Sequence, residues 1–132
     1  MKFPWHSRRP AADFASTREV ESRVAPGVRY RIATMTFARR LDLMRRVREI
    51  AGRLEYLAAS ADASDRMDAG LLRAEIDRVY LAWGLKGVSG LRVDGRAVEV
   101  EEFAALSPEE LWREALTAIR AETGLSEEER KN

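Results

Sequence analysis

A long amphipathic helix is the sequence feature that most constrains what this chain can fold into. From Phe37 to about Ala59 the apolar residues recur at spacings of four and three: Leu43, Val47, Ile50, Leu54 and Leu57. This period places them on one stripe of an α-helix, and such a stripe must be buried against another element. Thr36 is positioned to cap the helix. Phe37, Leu41 and Met44 widen its apolar face.

Two further helices are predicted. The first runs from about Asp65 to Trp83, after a loop at residues 60–64, and Gly84 is well placed to end it. Its apolar stripe consists of Leu72, Ile76, Val79 and Trp83. The second begins at Ser107-Pro108-Glu109-Glu110, where serine caps, proline occupies the first helical position and Glu110 closes a capping box. It should reach Thr123, stop at Gly124 and bury Leu111, Ala115, Leu116 and Ile119.

Short β elements accompany these helices. Residues 28–33 alternate apolar and polar, which predicts a half-buried strand with Val28, Tyr30 and Ile32 inward and both arginines outward. Residues 91–98 contain Asp94-Gly95 between two short strand-like runs, a hairpin signal. We expect the hairpin to pack on the helices, where it can pair with the strand at 28–33. Three glycines between residues 84 and 90 predict an irregular connection.

The predicted fold class is therefore α+β and helix-dominated, with three main helices and a small antiparallel β element. A chain of 132 residues is the size of one domain. We divide it into an irregular N-terminal arm (1–26), a globular helical domain with a β-hairpin (27–124) and a frayed acidic tail (125–132). The arm carries three of the four prolines, and its aromatic residues are expected to pack mainly on the chain's own core: Phe3, Trp5 and Phe14.

Charge is unevenly distributed along the chain. The net charge is +1, but residues 1–60 carry 13 Lys and Arg against 6 Asp and Glu, whereas residues 61–132 carry 10 against 16. The two halves can face each other within the fold, pair between subunits or meet different partners. The first arrangement requires nothing beyond this chain, so we expect it before the others.

The residues that catalysis most often uses are scarce. The chain has no cysteine, and its single histidine is His6 on the arm, which excludes Ser-His and Cys-His catalysis and the usual zinc sites. No phosphate-binding glycine motif is present. Asp62, Asp65 and Asp68 have the wrong spacing for a calcium loop and are typical of a helix start. We predict no enzyme activity, no cofactor and no metal.

Candidate partner-binding residues come from the arginines and tryptophans. Asp42 with Arg46 and Glu49 with Arg53 form favourable i,i+4 pairs, which is typical of a solvated helix face. Fewer local acids compensate the remaining arginines of this helix, Arg40, Arg45 and Arg48. These three can meet the acidic C-terminal half, an acidic partner or nucleic acid phosphates, in that order of expectation. Trp83 and Trp112 are more often core residues than partner anchors, but both functions remain open.

The chain resembles small tail-module proteins of bacteriophages and prophages. The resemblance lies in Pro26-Gly27-Val28-Arg29-Tyr30, the Arg-rich helix, the run from Ile76 to Leu85 (IDRVYLAWGL), the Gly90-to-Gly95 segment, the Ser-Pro-Glu-Glu-Leu helix and the ending from Gly124. It covers about residues 20–132 and is one of pattern and order. It transfers no functional residue, and residues 1–19 lie outside it.

The resemblance implies a tail assembly chaperone or adaptor that binds a tape-measure or tail-tube protein in the cytoplasm of the bacterial host. Such chaperones are typically absent from the finished particle. A structural component retained in the tail or neck is the first alternative, and a nucleic-acid-binding regulator that uses helix 37–59 is the second. The near-zero net charge makes nucleic acid an unlikely partner. No apolar run approaches the ~18 residues of a membrane span, and the N-terminus lacks a signal-peptide core. Homo-oligomers remain possible partners.

Overall fold

The computed structural model describes residues 11–124. Along the chain it contains strands β1 (Thr17–Glu21) and β2 (Arg29–Ala33), helices α1 (Phe37–Ala58) and α2 (Ala63–Gly84), strands β3 (Leu85–Ser89), β4 (Arg92–Val93) and β5 (Arg96–Ala97), a 3₁₀ turn (Val100–Glu102), a short helix α3 (Phe103–Leu106) and helix α4 (Glu109–Thr123). The fold is α+β and helix-dominated, as predicted. The proposed acidic tail and the first ten residues of the arm, with Phe3, Trp5 and His6, lie outside the described residues.

A three-stranded antiparallel sheet in the order β1-β2-β3 forms the base of the molecule. The strand predicted at 28–33 is confirmed as the central strand β2, whose Tyr30 and Ile32 are fully buried. The prediction of an irregular arm is wrong for residues 17–21, because these residues pair with β2 along its whole length. The sequence signal for β1 is weak, since Val20 is the one strongly apolar residue in Thr-Arg-Glu-Val-Glu.

The irregular connection predicted between residues 84 and 90 is also wrong, because residues 85–89 form strand β3. Gly87 lies opposite Arg31, and a Cβ at this position would lie 3.1–3.3 Å from the guanidinium of Arg31. Glycine therefore leaves room for the Arg31 side chain to cross the strand. Residues 85–89 have the composition of a loop, but Gly87 is needed where the Arg31 side chain approaches the strand backbone closely.

The Asp-Gly hairpin is confirmed as β4 and β5. Asp94 and Gly95 both have positive φ, 53° and 78°, as the tight hairpin turn requires. Its expected pairing with the strand at 28–33 is wrong, because β4 and β5 form a separate two-stranded sheet. Both edges of β2 are already occupied by β1 and β3, so no edge remains for the hairpin.

Helices α1 and α2 form an antiparallel hairpin connected by a four-residue loop. Their predicted bounds are confirmed to within two residues. The Thr36 side chain accepts a hydrogen bond from the Arg39 N–H, and Asp62 accepts one from Ser64, so both helices begin at side-chain caps. Asp62 and Asp65 thus act at a helix start, as expected. Gly84 is the last residue of α2.

Helix α4 has the predicted end but not the predicted start. Gly124 adopts the left-handed conformation that ends the helix. Ser107 does not cap it, because its hydroxyl donates to the Phe103 carbonyl oxygen at the end of α3. The capping box predicted for Glu110 is therefore wrong: no side chain caps α4. The short helix α3 ends directly before Ser107. Its Phe103 carbonyl oxygen accepts the hydrogen bond of the Ser107 hydroxyl, which the sequence pattern predicts to cap α4 instead.

The core lies between the sheet, α2 and α4. The predicted inward residues of α4 are all buried, and Tyr30 meets Phe103 edge to face with ring centroids 5.9 Å apart. Helix α4 also closes against α2, where a Cβ on Gly84 would lie 2.5 Å from Ile119 Cγ2. Helix α1 contributes one buried residue, Leu43, to this core and contacts chiefly α2.

Candidate protein-binding surface

Helix α1 is fastened to the rest of the fold at its N-terminal end. Arg39 Nη1 donates to the carbonyl oxygens of Ser16 and Thr34, each at 2.7 Å, and so ties the first turn of α1 to the start of β1 and the end of β2. The hydroxyl of Thr34 in turn donates to the Ala15 carbonyl oxygen at 2.9 Å. From this anchored base, α1 extends away from the sheet with α2 beside it.

Burial of α1 is low for a helix of its length. Leu43 is the one buried residue among its 22, while the other residues of the predicted stripe are partly buried. The stripe therefore packs against α2 as the periodicity predicts. One neighbouring helix covers only one side of α1.

The residues predicted to widen the apolar face are left uncovered. Phe37 is 80% exposed, Leu41 37% and Met44 53%. Their spacing of four and three places them on one stripe, beside the stripe that packs on α2. A phenylalanine, a leucine and a methionine that share an exposed stripe form a patch of the kind that marks an interaction site.

Arginines flank this patch. Arg45 follows Leu41 by four residues and Arg48 follows Met44 by four, so both continue the exposed stripe, and both are exposed. Within residues 11–124, the ion pairs are Arg18–Glu122, Arg29–Glu19, Arg46–Asp42, Arg96–Glu102, Arg113–Glu109 and Arg120–Asp77. None involves Arg40, Arg45 or Arg48. We call Phe37, Leu41, Met44, Arg45 and Arg48 the open face of α1.

The opposite side of α1 behaves differently. Arg46 pairs with Asp42 at 3.1 Å, as the i,i+4 spacing predicts. The expectation that Arg40, Arg45 and Arg48 first meet the acidic half of the chain is wrong for the acids that the structure describes. The two halves meet instead through Arg18 and Glu122, at 3.1 Å. Glu127, Glu128 and Glu129 lie outside the described residues.

A shallow cavity of about 730 Å³ adjoins the base of α1. Residues 13–18, 34–36 and Arg39 line it. Phe14, at its rim, is 89% exposed, so the expectation that this aromatic packs on the core is wrong. Phe37 directly follows Thr36 in the cavity wall, so the cavity lies next to the start of α1 and reaches the segment before β1.

The two candidate tryptophans, Trp83 and Trp112, differ in burial. Trp83 is 4% exposed and belongs to the core, which is the more frequent of the two roles expected for it. Trp112 is half-buried and packs on the edge of the core from α4.

A second polar cluster surrounds Glu114 of α4. Its Oε1 accepts hydrogen bonds from Ser22 Oγ at 2.5 Å and Tyr30 Oη at 2.8 Å, and its Oε2 accepts from the N–H groups of Arg23 and Val24 at 2.8 and 3.2 Å. Burial alone would raise the pKa of Glu114, but these donors outweigh it and hold the pKa below its usual range. Burial, followed by the bond to Glu114, raises the pKa of Tyr30. This carboxylate holds the β1–β2 turn against α4.

Two further classes of site were sought in the described part of the chain. Residues 11–124 contain no group of three or more His, Cys, Asp or Glu side chains that would hold a metal ion. Over the same residues, no helix combines the length and the apolar character needed to cross a bilayer.

The open face combines residues that the sequence had singled out for different reasons. Arg45 and Arg48 were candidate binding residues, whereas Phe37, Leu41 and Met44 were assigned to the apolar face. The sequence signal that could have predicted this surface is the width of the apolar face of α1. Its seven or eight apolar positions exceed what a single neighbouring helix can cover. Phe14 and the cavity had no local signal, because their position depends on β1.

Comparisons with protein-family models, curated proteins and solved structures find no match to this chain.

Proposed function

We propose that this protein is a non-catalytic adaptor that binds another protein through the open face of α1, and that it serves as a chaperone in phage tail assembly. The observation that carries the first part is the exposure of Phe37, Leu41 and Met44 on one stripe with Arg45 and Arg48 beside them. The tail-assembly part rests on the resemblance described above. The client is a tape-measure or tail-tube protein.

The chemistry of the open face specifies the kind of client segment. An apolar stripe on a helix accepts the apolar stripe of a second helix at i, i+3, i+4 and i+7 spacing. Arginines at its edge favour acidic residues that flank the partner's apolar stripe and disfavour basic ones. An amphipathic helix with acidic borders therefore fits this surface best.

A chaperone contact of this size is weak and reversible. Three exposed apolar side chains and two arginines offer a smaller surface than a stable interface buries. Weak contacts suit a protein that holds a long client by repetition and leaves when tube subunits replace it. The exposed fraction of α1 is thus compatible with transient binding of many copies along one client.

The test is purification of the tagged protein from its own host during phage or prophage induction, with partners identified by mass spectrometry. The variant Arg45→Glu/Arg48→Glu should lose the tape-measure or tail-tube partner. The matched control Arg46→Glu/Arg53→Glu changes the same charge on the other side of α1 and should retain it. Arg45→Glu/Arg48→Glu should keep the wild-type free energy of unfolding within about 0.5 kcal/mol, since both sites are on the surface. The control should lose up to about 2 kcal/mol, because it replaces two favourable i,i+4 pairs by like-charge pairs, and it should still fold.

Three outcomes would count against the proposal. Loss of the partner in both variants would indicate a general charge effect rather than the open face. Recovery of nucleic acid, with affinity that falls steeply with salt, would indicate a nucleic-acid-binding regulator. Detection of this chain in purified particles would favour a structural component of the tail or neck over a chaperone.

A further inference from the structure

We propose that the protein associates with itself head to tail, so that the open face of α1 in one copy lies on the outer face of α2 in the next copy. The outer face of α2 consists of five exposed residues, Met67, Asp68, Leu71, Ala74 and Glu75. The association requires only these two surfaces. Its displacement by a client, which occupies the same open face, rests on the proposed function.

Helix α2 carries an exposed apolar stripe of its own. Met67 and Leu71 are exposed, and Ala74 continues their spacing of four and three. The helical period places these three positions on the side opposite to the buried Ala69 and Ile76. The α1–α2 hairpin therefore exposes apolar side chains on both of its helices, turned away from the contact between them.

The two stripes have opposite charges at their borders. Arg45 and Arg48 belong to the open face of α1. Asp68 and Glu75 lie beside the apolar stripe of α2, both on the same side of it. Within residues 11–124, none of these four side chains takes part in an ion pair. The outer face of α2 is thus an amphipathic helix surface with an acidic border, which is the kind of segment that the open face fits best.

Charge also selects the relative direction of the two helices. A parallel alignment that matches Leu41 with Leu71 of the next copy also brings Arg48 next to Arg78, because both pairs are thirty residues apart. Like charges in such positions repel. An antiparallel alignment on the same two leucines places the two arginines at opposite ends of the contact. The antiparallel direction is therefore favoured.

The borders match in the antiparallel alignment. Met44 then lies opposite Met67 of the next copy, and Arg45 lies within one turn of Asp68 on the same side of the contact. Glu75 is level with the first turn of α1, which contains no acid of its own. A carboxylate at this end of a helix interacts favourably with the helix dipole. Both acids of the outer face thus gain a partner in the neighbouring copy.

The contact joins two different surfaces and so does not close after two copies. One end of such a pair keeps a free open face and the other keeps a free outer face, which lets further copies add in the same way. Three apolar residues on each side form a small interface. The association is therefore reversible and depends on concentration, so that a client can displace the neighbouring copy.

The absence of native cysteine allows the contact to be located with two variants of the full chain. Met44→Cys and Met67→Cys are made as separate chains that differ in mass and are then mixed with a short bismaleimide. Linkage of 44 to 67 should be roughly tenfold faster than linkage of 44 to 44 or 67 to 67, because the contact raises the effective concentration of the two thiols. The matched control replaces Met44→Cys by Asp42→Cys, on another side of α1, and should link slowly.

Two results of this experiment would overturn the proposal. Equal linkage rates for positions 42 and 44 would show that the open face does not meet position 67. Linkage of like positions that is faster than linkage of 44 to 67 would indicate a two-fold symmetric pair instead of a head-to-tail contact.

Sedimentation of the purified protein without a client measures the association itself. The weight-average mass should rise beyond that of two chains as the concentration increases to about 1 mM, the weak end of the affinity scale. Arg45→Glu and Asp68→Arg should each weaken the association by about threefold, and the two changes in one chain should restore it. Arg46→Glu, the same charge change on the other side of α1, should leave it unchanged. The mass of one chain at every concentration, a plateau at two chains or a failed restoration would overturn the proposal.

Competition is measured with the client recovered in the purification described above. That client should slow the linkage of 44 to 67, since it occupies the same open face. An unchanged rate with saturating client would refute the competition. Linkage and sedimentation need no client, so their success together with a failed client capture would overturn the proposed function and leave the self-association intact. A captured client with a chain that stays monomeric would overturn the self-association alone.

Discussion

At the residue scale, Glu114 shows how a cluster with the composition of an active site can be structural. A carboxylate beside a serine and a tyrosine hydroxyl resembles acid-base machinery. Here both hydroxyls donate to Oε1 of the carboxylate, and two backbone N–H groups donate to its Oε2. Ser22 is 4% exposed and its hydroxyl also accepts from the Ala25 N–H at 2.9 Å. The cluster closes the β1–β2 turn and joins it to α4.

We expect Glu114→Gln to lower the free energy of unfolding at neutral pH by about 1–3 kcal/mol, because the amide cannot accept all four bonds. The folded-state pKa of Glu114 is lowered, so its contribution is present above the ordinary carboxyl pKa near 4.5 and is lost as pH falls through the folded-state pKa. Urea unfolding as a function of pH should therefore show wild type and variant converging in acid.

Glu109→Gln is the control for this measurement. Glu109 is on the exposed side of the same helix, and its partner is Arg113 at i,i+4. Its loss should change stability by no more than about 0.5 kcal/mol. A Glu114→Gln effect as small as this would contradict the structural role assigned to Glu114.

At the element scale, the contact between α2 and α4 depends on a missing side chain. Gly84 lies where a Cβ would approach Ile119 Cγ2 to 2.5 Å and Cγ1 to 2.9 Å. Such distances require the Ile119 side chain or one of the two helices to shift. The same glycine matches the expected helix stop, so the sequence pattern identified the residue but not this use of it.

We expect Gly84→Ala to destabilise the protein by about 1–3 kcal/mol through overpacking. Gly70→Ala is the matched control in the same helix, because a Cβ there meets nothing within 4 Å. It should stabilise by up to about 1 kcal/mol through helix propensity. Thermal and urea unfolding of both variants, and of Gly84→Ala/Ile119→Ala, provide the measurement. Ile119→Ala alone completes the cycle, because removing this buried side chain also costs stability. A cost of Ile119→Ala that is as large in the Gly84→Ala background as in the wild type would contradict the steric explanation.

At the scale of the whole molecule, stability is expected to be uneven. The largest fully buried side chains belong to β2, α3 and α4, whereas the far end of the α1–α2 hairpin exposes Tyr56 at 81%, Met67 at 73% and Leu71 at 69%. Regions with few buried apolar contacts open locally at lower free energy than the core. The hairpin end is such a region.

Amide hydrogen exchange should reveal this difference. We expect residues 52–67 to exchange at least about tenfold faster than β2 and α4, because their opening requires loss of little buried surface. Exchange measured peptide by peptide checks the prediction. Equal protection across the hairpin and the core would indicate a single cooperative unit, and the far end would then need a stabilising contact beyond those described.

Local patterns in the sequence determined the three long helices, the central strand and the Asp-Gly turn. A helical stripe, a capping Thr36 and the positive φ of Asp94-Gly95 each depend on residues within a few positions of one another. These features therefore needed no knowledge of distant segments. The inward residues of β2 and α4 followed from the same periodicities.

Only the tertiary structure decided which edges and faces are covered. Strands β1 and β3 exist because β2 pairs with both, although Thr-Arg-Glu-Val-Glu and the glycine-containing 85–89 carry weak strand signals. The open face of α1 exists because, among residues 11–124, this helix contacts chiefly α2. Pairing and coverage depend on residues far apart in the chain, so a local pattern can show that a face is apolar but not what lies against it.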